Sequence, residues 1–189
     1  MNTQTHLLLA AAAFGRGERG TGQGAILLGA LAPDLSIFAL AAWAVGTGLS
    51  SAAVWEEAYW SEPWQTLSAI SNSLPLWGTV LLVGLAVRSR PATLFAAAGL
   101  LHLGLDLPLH ADDAHRHFWP LSDWRFRSPV SYWDPAHHGI AAGMVEAALG
   151  AALVAVLWRR HRARRVRAAL VAVALAYALV PIGWIVSVG

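Results

Sequence analysis

Residues 136–167 read AHHGIAAGMVEAALGAALVAVLWRRHRARRVR, an apolar run followed at once by a cluster of six arginines. Glu146 is the only acidic residue between positions 136 and 158, and no arginine interrupts that run. About 20 mainly apolar residues suffice for a helix to cross the hydrocarbon core of a bilayer. Because arginine-rich loops next to such helices are typical of the cytoplasmic side, this stretch predicts a transmembrane helix that ends in the cytoplasm.

The composition of the whole chain supports the same class of protein. Apolar residues make up 57% of the 189 residues and charged residues only 13%, whereas soluble domains carry about 25% charged residues. The absence of cysteine excludes disulfides, thiolate metal sites and cysteine nucleophiles. All positive charges are arginines in short clusters instead of a basic patch or stripe, so no nucleic-acid partner is expected.

Further segments of similar length and character predict an all-α polytopic membrane helical bundle. It has five long transmembrane helices within a single integral membrane domain, residues 1–189. The predicted spans are roughly 25–49, 66–87, 91–109, 136–158 and 168–188. A short apolar segment, 5–14, predicts an N-terminal membrane-embedded helix, and its length leaves open whether it spans. The start of the chain lacks a positively charged region, so no cleaved signal peptide is expected.

The arginines also predict the orientation. If every long segment crosses once, three arginine-bearing connections fall on one side, which we predict to be the cytoplasmic side of a bacterial inner membrane. These connections contain Arg16 and Arg19, Arg88 and Arg90, and the cluster from 159 to 167. The segment 110–135 then forms an extracytoplasmic, periplasmic loop rich in histidine and aspartate.

Most of the histidines and aspartates lie in one stretch, residues 102–138. It holds six of the eight histidines and five of the six aspartates: His102, His110, His115, His117, His137, His138, Asp106, Asp112, Asp113, Asp123 and Asp134. A cluster of histidines and carboxylates without cysteine suits zinc, manganese or iron.

The spacing of these residues suggests specific pairs. His102 and Asp106 lie four apart on a predicted membrane helix and share a face. An ionisable pair inside a membrane is costly, which favours a metal or catalytic role over a hydrogen-bonded pair that locks two helices. Asp113 and His117 would chelate together if a helical turn forms, or they belong to a solvated loop. Asp134 precedes a proline, as an N-cap does.

Three further polar residues interrupt apolar segments elsewhere. Asp34 follows Pro33, whose kink gives the carboxylate room. His6 lies on the short N-terminal segment, on the outer side according to the predicted topology. Glu146 follows the small residues Gly139 and Gly143, which predict a close helix–helix seam, so we interpret it as a structural hydrogen-bonding group.

These motifs together resemble the YdjM-like family. The resemblance rests on Thr5-His6, Pro33-Asp34, His102-x-x-x-Asp106 and the run HFWPLSDWRF at 117–126. The family is described as LexA-binding, inner-membrane-associated metal-dependent hydrolases. It implies a small helical membrane protein with a metal site and hydrolytic chemistry.

The chain departs from that family at one motif. The family carries His-Arg-Gly-x-Thr-His-Ser after the Pro-Asp segment, whereas residues 69–75 here read AISNSLP, with Asn72 at the second histidine. The metal site is therefore altered or lost, unless the extra outer histidines replace those ligands. A similar subgroup carries the label cobalamin biosynthesis protein CobQ, which the absence of a cysteine nucleophile and of a phosphate-binding loop opposes.

The first functional hypothesis is a membrane-bound metal-dependent hydrolase that acts on an ester or phosphoester at the membrane–water boundary. Its divalent metal, zinc before manganese or iron, would be held by His6, Asp34, His102 and Asp106. Catalytic groups would come from His110, Asp113 and His117. An anionic, phospholipid-like substrate from the membrane lipid would contact Arg116, Arg125 and Arg127.

Two alternatives remain. In the first alternative, the protein is a non-catalytic membrane component for metal binding, transport or assembly, and the buried polar residues line an ion path. In the other alternative, the histidines only tie loops to helices in a structural subunit. The sequence names no substrate and no oligomeric state.

Overall fold

The chain folds as a bundle of helices. A computed structural model describes residues 1–188, with side chains for residues 1–177, and every regular element in it is helical. The α-helices are α1 (Thr3–Phe14), α2 (Thr21–Leu31), α3 (Leu35–Thr47), α4 (Glu62–Ser71), α5 (Leu74–Ala86), α6 (Arg90–Asp106), α7 (Gly139–Arg160) and α8 (Arg164–Val188). The all-α class predicted from the sequence is confirmed.

Four helical stretches among the described residues are long and apolar enough to cross a membrane. They are Thr21–Thr47, Glu62–Ala86, Arg90–Leu109 and Gly139–Arg160. Many of their large apolar side chains are exposed, as lipid contact requires. The chain therefore has the character of a polytopic membrane protein. The fifth predicted span, 168–188, falls on α8 and extends beyond the side chains that the structure describes.

Proline interrupts the first of these stretches. Pro33 lies in a 3₁₀ turn, Ala32–Asp34, between α2 and α3. Proline lacks an N–H group and clashes with the preceding helical turn, so α2 ends at Leu31. Asp34 then occupies the position before α3, inside the candidate span and not at its end.

The second stretch differs from the continuous helix predicted over 66–87. It is divided into α4 and α5, with Asn72 and Ser73 between them. The Ser73 hydroxyl accepts a hydrogen bond from Leu76 N (3.1 Å), and Pro75 lies in the first turn of α5. This is a new helix start, and Leu74 N beside it donates to the His117 carbonyl (2.8 Å).

Helix α6 lies at the centre, packed between α2 and α5. At Gly29 in α2, a Cβ atom would lie 2.1 Å from the Phe95 carbonyl oxygen, so only glycine permits this approach of the two backbones. The close packing brings the Ala30 carbonyl, in the last turn of α2, next to His102 of α6. A glycine therefore helps to position a candidate site residue.

The two ends of the bundle differ in their charged groups. Near one end, Arg90 pairs with Glu18, and Arg160 donates to the Ala12 carbonyl (2.7 Å). Asp106 lies at the opposite end of α6, about 24 Å away at 1.5 Å per residue. The arginine-bearing connections therefore meet at one end, and the histidine- and aspartate-rich segment lies at the other.

The start of α7 corrects two expectations. Asp134 caps the 3₁₀ turn Pro135–His137 by accepting from Ala136 N (2.9 Å), and α7 begins only after His138, which has φ 64°. His137 and His138 thus precede the helix. The predicted seam at Gly143 is also wrong for the part of the chain that the structure describes, since no atom there lies within 4 Å of a Cβ placed at Gly143. Close packing against α8 occurs instead at Gly150, beside Tyr177.

Candidate metal centre

Asp106 is the hub of a buried polar cluster at the end of α6. Its exposed fraction is only 3%. One carboxylate oxygen, Oδ1, accepts hydrogen bonds from His6 Nε2 (2.9 Å) and from the amino group of Met1 (2.5 Å). The other, Oδ2, lies 3.0 Å from His102 Nε2. Helix α6 supplies His102 and Asp106 from one face, and α1 brings His6 to them.

The turn at Pro33 adds a second carboxylate. Asp34 Oδ1 lies 3.5 Å from His102 Nε2, and Asp34 Oδ2 accepts a hydrogen bond from the Thr3 hydroxyl (2.5 Å). The structure therefore brings together all four residues that the sequence predicted as metal ligands, His6, Asp34, His102 and Asp106.

The hydrogen bonding of His102 sets its tautomer. Its Nδ1 donates to the Ala30 carbonyl at 2.7 Å, because a carbonyl oxygen can only accept. Its Nε2 is buried and has no hydrogen-bond partner, although Asp34 and Asp106 oxygens face it. When the ring is neutral, a histidine that donates through Nδ1 to a backbone carbonyl presents the Nε2 lone pair, which is how metal-bound imidazoles are oriented.

The spacing of the donor atoms suits a single small cation. The His6 and His102 rings stack at 3.5 Å with an interplanar angle of 7°. Ligand atoms of His6, His102 and Asp106 all lie within 4.8 Å of one another. The closest contacts, 2.9 and 3.0 Å, are within the roughly 4.2 Å by which two ligands of one zinc ion can be separated. Two carboxylates and two neutral imidazoles would balance a divalent charge.

A second pair lies between this cluster and the outer loop. His110 Nε2 is 3.7 Å from Asp106 Oδ2, and His110 Nδ1 is 2.8 Å from Asp113 Oδ2. Burial lowers the pKa of His110, but Asp106 and Asp113 outweigh burial and raise that pKa above its ordinary value. Trp133 Nε1 also donates to Asp113 Oδ2 (3.0 Å). Asp113 thus orients His110 instead of forming the expected chelate with His117.

His117 and His115 face the break between α4 and α5. His117 Nδ1 donates to the Asn72 carbonyl (3.0 Å), and His115 Nδ1 lies 3.1 Å from the Ser68 hydroxyl. Burial lowers the pKa of His117, and burial with the neighbouring imidazoles lowers the pKa of His115 to about 3. Both rings are therefore neutral, and a catalytic role for His117 stays a prediction.

Asn72, at the position of a family histidine, is itself buried. Its side-chain amide donates to the Ser68 carbonyl (3.0 Å) and to the Pro33 carbonyl (3.5 Å). These bonds tie the end of α4 to the turn that carries Asp34. The asparagine therefore has a structural role at the break between α4 and α5.

The arginines of the outer loop mainly hold protein groups. Arg116 lies 3.5 Å from Glu62 and 3.3 Å from Asp123, and Arg125 donates to the Ala114 carbonyl (2.7 Å) and to Gln65 (3.0 Å). Arg127 is exposed. Arg116 and Arg125 therefore hold protein groups, and an anionic ligand for all three arginines remains a prediction.

A second group of possible ligands lies at the surface. One ligand atom each of Asp112, Asp134 and His137 lies within 4.8 Å of the others, and His137 Nδ1 is 2.6 Å from Asp134 Oδ2. The hydrogen bond lowers the pKa of Asp134 and raises that of His137. This group is more exposed than the cluster around Asp106.

Several contributors to the site carry no recognisable sequence signal. The Ala30 carbonyl is a backbone group, and Thr3 and Trp133 are polar partners contributed from distant parts of the chain.

Comparisons of the chain with family models, with curated proteins and with solved structures find no match. The resemblance to the YdjM-like family therefore stays a prediction.

Proposed function

We propose that this protein is a membrane-bound metal-dependent hydrolase that acts on an ester or phosphoester at the membrane–water boundary. The observation that carries the proposal is the buried His102 Nε2, which has no hydrogen-bond partner and faces the Asp34 and Asp106 carboxylates. A buried ring nitrogen that faces two carboxylates needs a positive charge between them, which either a proton on Nε2 or a bound metal ion supplies, and the proposal takes the metal ion. Zinc is the first candidate, with manganese or iron as alternatives.

The residues of the chain have separate roles in this proposal. His6, His102, Asp106 and Asp34 would hold the metal, and a bound metal would make water a stronger acid, so that hydroxide would be available near neutral pH. His110 accepts the proton of the attacking water at Nε2, next to Asp106. Asp113 orients His110 through Nδ1, as the third group of a catalytic triad orients its base.

The proposed setting is a bacterial inner membrane. The fifth long span on α8 and the membrane-embedded α1 complete the bundle, with the arginine connections in the cytoplasm and the loop 110–135 in the periplasm. Support comes from the arginine contacts at one end and the polar cluster at the other. The loop arginines Arg116, Arg125 and Arg127 lie where an anionic lipid headgroup would arrive.

An ion path receives less support than hydrolysis. Between Arg90 and His102, α6 contains only apolar residues apart from Thr93, whose hydroxyl donates to the Ser89 carbonyl. The half of α7 after Glu146 is likewise apolar up to Arg159. A path for ions needs polar groups across the membrane, whereas these groups gather at one end.

Metal analysis of the purified protein tests the proposal. We expect stoichiometric zinc, manganese or iron in the wild-type protein, and hydrolysis of p-nitrophenyl esters or of bis(p-nitrophenyl) phosphate that chelation abolishes. His102→Ala should lose both properties, whereas His137→Ala, a matched change in the surface group, should retain both. Absence of metal from the wild-type protein, or metal-independent turnover by His102→Ala, would contradict the proposal.

A further inference from the structure

A polar cavity lies at the end of the bundle where the arginine-bearing connections meet, between the α1–α2 connection and the end of α7. Its volume is about 400 Å³, and it is lined by Ala11, Gly15, Arg16, Gly17, Arg160 and His161. Ligand pockets span about 300–1,000 Å³, so the cavity has room for a small polar group. Among the described residues that line it, none is acidic and two are arginines. This lining favours an anion.

The surroundings of the cavity are strongly cationic. Residues 15–20, 87–91 and 158–168, which include the three connections at this end, contain ten arginines and one acidic residue, Glu18. Glu18 already accepts a hydrogen bond from Arg90 Nε (2.9 Å). An excess of one sign of charge attracts ions of the opposite sign and repels those of the same sign. The charge therefore favours an anionic ligand over a zwitterionic ligand that carries an amine.

The turn after α1 forms one wall of the cavity. Its backbone is closed by two hydrogen bonds, from Gly15 N to the Ala11 carbonyl (3.0 Å) and from Glu18 N to the Gly15 carbonyl (3.2 Å). Gly17 has φ 82°, a left-handed conformation that glycine adopts without strain. Arg16, between the two glycines, is exposed and lines the cavity. The turn therefore presents this one long side chain to a ligand.

The end of α7 forms the other wall. Arg160 Nη1 donates to the Ala12 carbonyl (2.7 Å), which fixes the guanidinium beside the end of α1. A guanidinium has five N–H donors, and this bond uses one of them. Arg167 Nε donates to the His161 carbonyl (3.1 Å), and the Arg167 guanidinium lies over the Trp158 ring, 4.6 Å from its centroid. These contacts hold the segment after α7 in place, so the cavity has a cationic side chain on both walls.

The position of the cavity favours a lipid over a free phosphate ion. Helix α7 is a candidate membrane span that ends at Arg160. Val156 and Ala152 lie one and two turns before Arg160, on the same face of the helix, and both are exposed. Trp158 lies at the same level as the arginines, and tryptophan is typical of the membrane–water boundary. A headgroup in the cavity would therefore have its acyl chains beside an apolar helix face.

We propose that this cavity binds the headgroup of an anionic phospholipid that carries a phosphodiester and no amine. Arg16 and Arg160 donate to the phosphate oxygens, because the planar guanidinium matches the geometry of a phosphate. The acyl chains lie along Val156 and Ala152. The inference goes beyond the proposed hydrolase, since the cavity is at the opposite end of the bundle from Asp106 and its ligand needs neither metal nor turnover.

Native mass spectrometry of the purified protein in detergent tests the identity of the ligand. The probes are phosphatidylglycerol and phosphatidylethanolamine with the same acyl chains, of which only the second carries an amine. We expect the wild-type protein to retain phosphatidylglycerol better by about tenfold or more, and inorganic phosphate at the same concentration should not displace it. Equal retention of the two lipids, or displacement by inorganic phosphate, would overturn the inference.

Arg16→Gln and Arg160→Gln test the cavity itself. Each should weaken retention of phosphatidylglycerol by about tenfold or more, because each removes a charge-assisted hydrogen bond. Arg19→Gln and Arg162→Gln remove the same charge from the same two connections, at exposed positions outside the cavity wall, and should stay close to the wild type. Equal losses in all four variants would mean a diffuse attraction by net charge and would overturn the site.

Two further comparisons keep the outcome clear. Arg160→Gln also loses the bond to the Ala12 carbonyl, whereas the turn around Arg16 is closed by backbone bonds, so Arg16→Gln decides the test if Arg160→Gln fails to fold. Retention of phosphatidylglycerol by a protein without metal or turnover would support the cavity and refute the hydrolase. Hydrolysis by a protein that does not prefer phosphatidylglycerol would refute the cavity alone.

Discussion

The deep cluster around Asp106 and the surface group around Asp134 are built from the same residue types. In the deep cluster His6, His102 and Asp106 are all buried, and His102 Nε2 has no hydrogen-bond partner. In the surface group the side chains of His137 and Asp134 are 35% and 25% exposed and bond to each other. In the deep cluster Asp106 accepts a hydrogen bond from His6 while His102 Nε2 stays unpaired, whereas the histidine and the aspartate of the surface pair bond directly to each other.

This difference shows why histidine and aspartate content alone does not locate a site. Exposed ion pairs contribute little and are easily rearranged, whereas a buried set of carboxylates and imidazoles is costly unless it serves a purpose. The number of histidines and aspartates in residues 102–138 does not distinguish the deep cluster from the surface group. Burial and unpaired donor atoms separate them, and both are visible only in three dimensions.

Asp106→Asn is the change with the largest expected effect on this contrast. Asparagine keeps the volume but removes the charge around which His6 and His102 are arranged. Since loss of a mere outer partner costs about 10–100-fold in metal affinity, we expect a loss of more than about 100-fold. Zinc titration of the metal-depleted protein measures it. Equal losses in Asp106→Asn and Asp134→Asn would remove the distinction between the groups.

Asp113→Asn tests whether Asp113 orients the proposed base His110 or holds the metal. Asp113 contacts His110 and Trp133, and among the described residues it has no hydrogen bond to His6 or His102. We expect hydrolysis to fall by about 100-fold or more, while metal content stays at the wild-type level. Steady-state kinetics and elemental analysis on the same sample measure both. The neighbouring exposed Asp112→Asn is the control, and loss of metal in Asp113→Asn would reassign this residue as a ligand.

Part of this arrangement could be predicted from local spacing. His102 and Asp106 share a face because they lie one turn apart on α6, and the kink at Pro33 accounts for the position of Asp34. The Ala30 carbonyl that orients His102 could not be predicted, because it depends on the close approach at Gly29. The apolar character continues across Asn72 and Ser73, so hydropathy alone predicts one continuous helix where the structure has α4 and α5. The serine and proline at the start of α5 are the sequence signal for this break.

Asn72→Ala should affect the fold more than the metal. The variant loses the side-chain hydrogen bonds to the Ser68 and Pro33 carbonyls and leaves buried groups unpaired. We expect the free energy of unfolding to fall by about 1–3 kcal/mol with metal affinity nearly unchanged, as measured by chemical denaturation and zinc titration. Thr79→Ala, which removes only an exposed side-chain hydrogen bond to the Pro75 carbonyl, is the control. A metal affinity that falls as far as in Asp106→Asn would place Asn72 in the ligand set.

The smallest expected effect concerns the surface pair. The Asp134 carboxylate raises the pKa of His137 above 6.5 through their hydrogen bond, so the pair favours folding fully below pH 6.5 and loses this contribution as the pH rises through the folded value. The same hydrogen bond lowers the pKa of Asp134, so the stabilisation of the folded state by this pair is lost again as the pH falls through the folded pKa of Asp134. Asp134→Asn should return the His137 titration, followed by NMR, towards 6.5 and leave metal content and hydrolysis unchanged. A change in metal content or in hydrolysis would mean that the surface group takes part in the function of the deep cluster, because an exposed pair that does not contact the deep cluster should affect neither property.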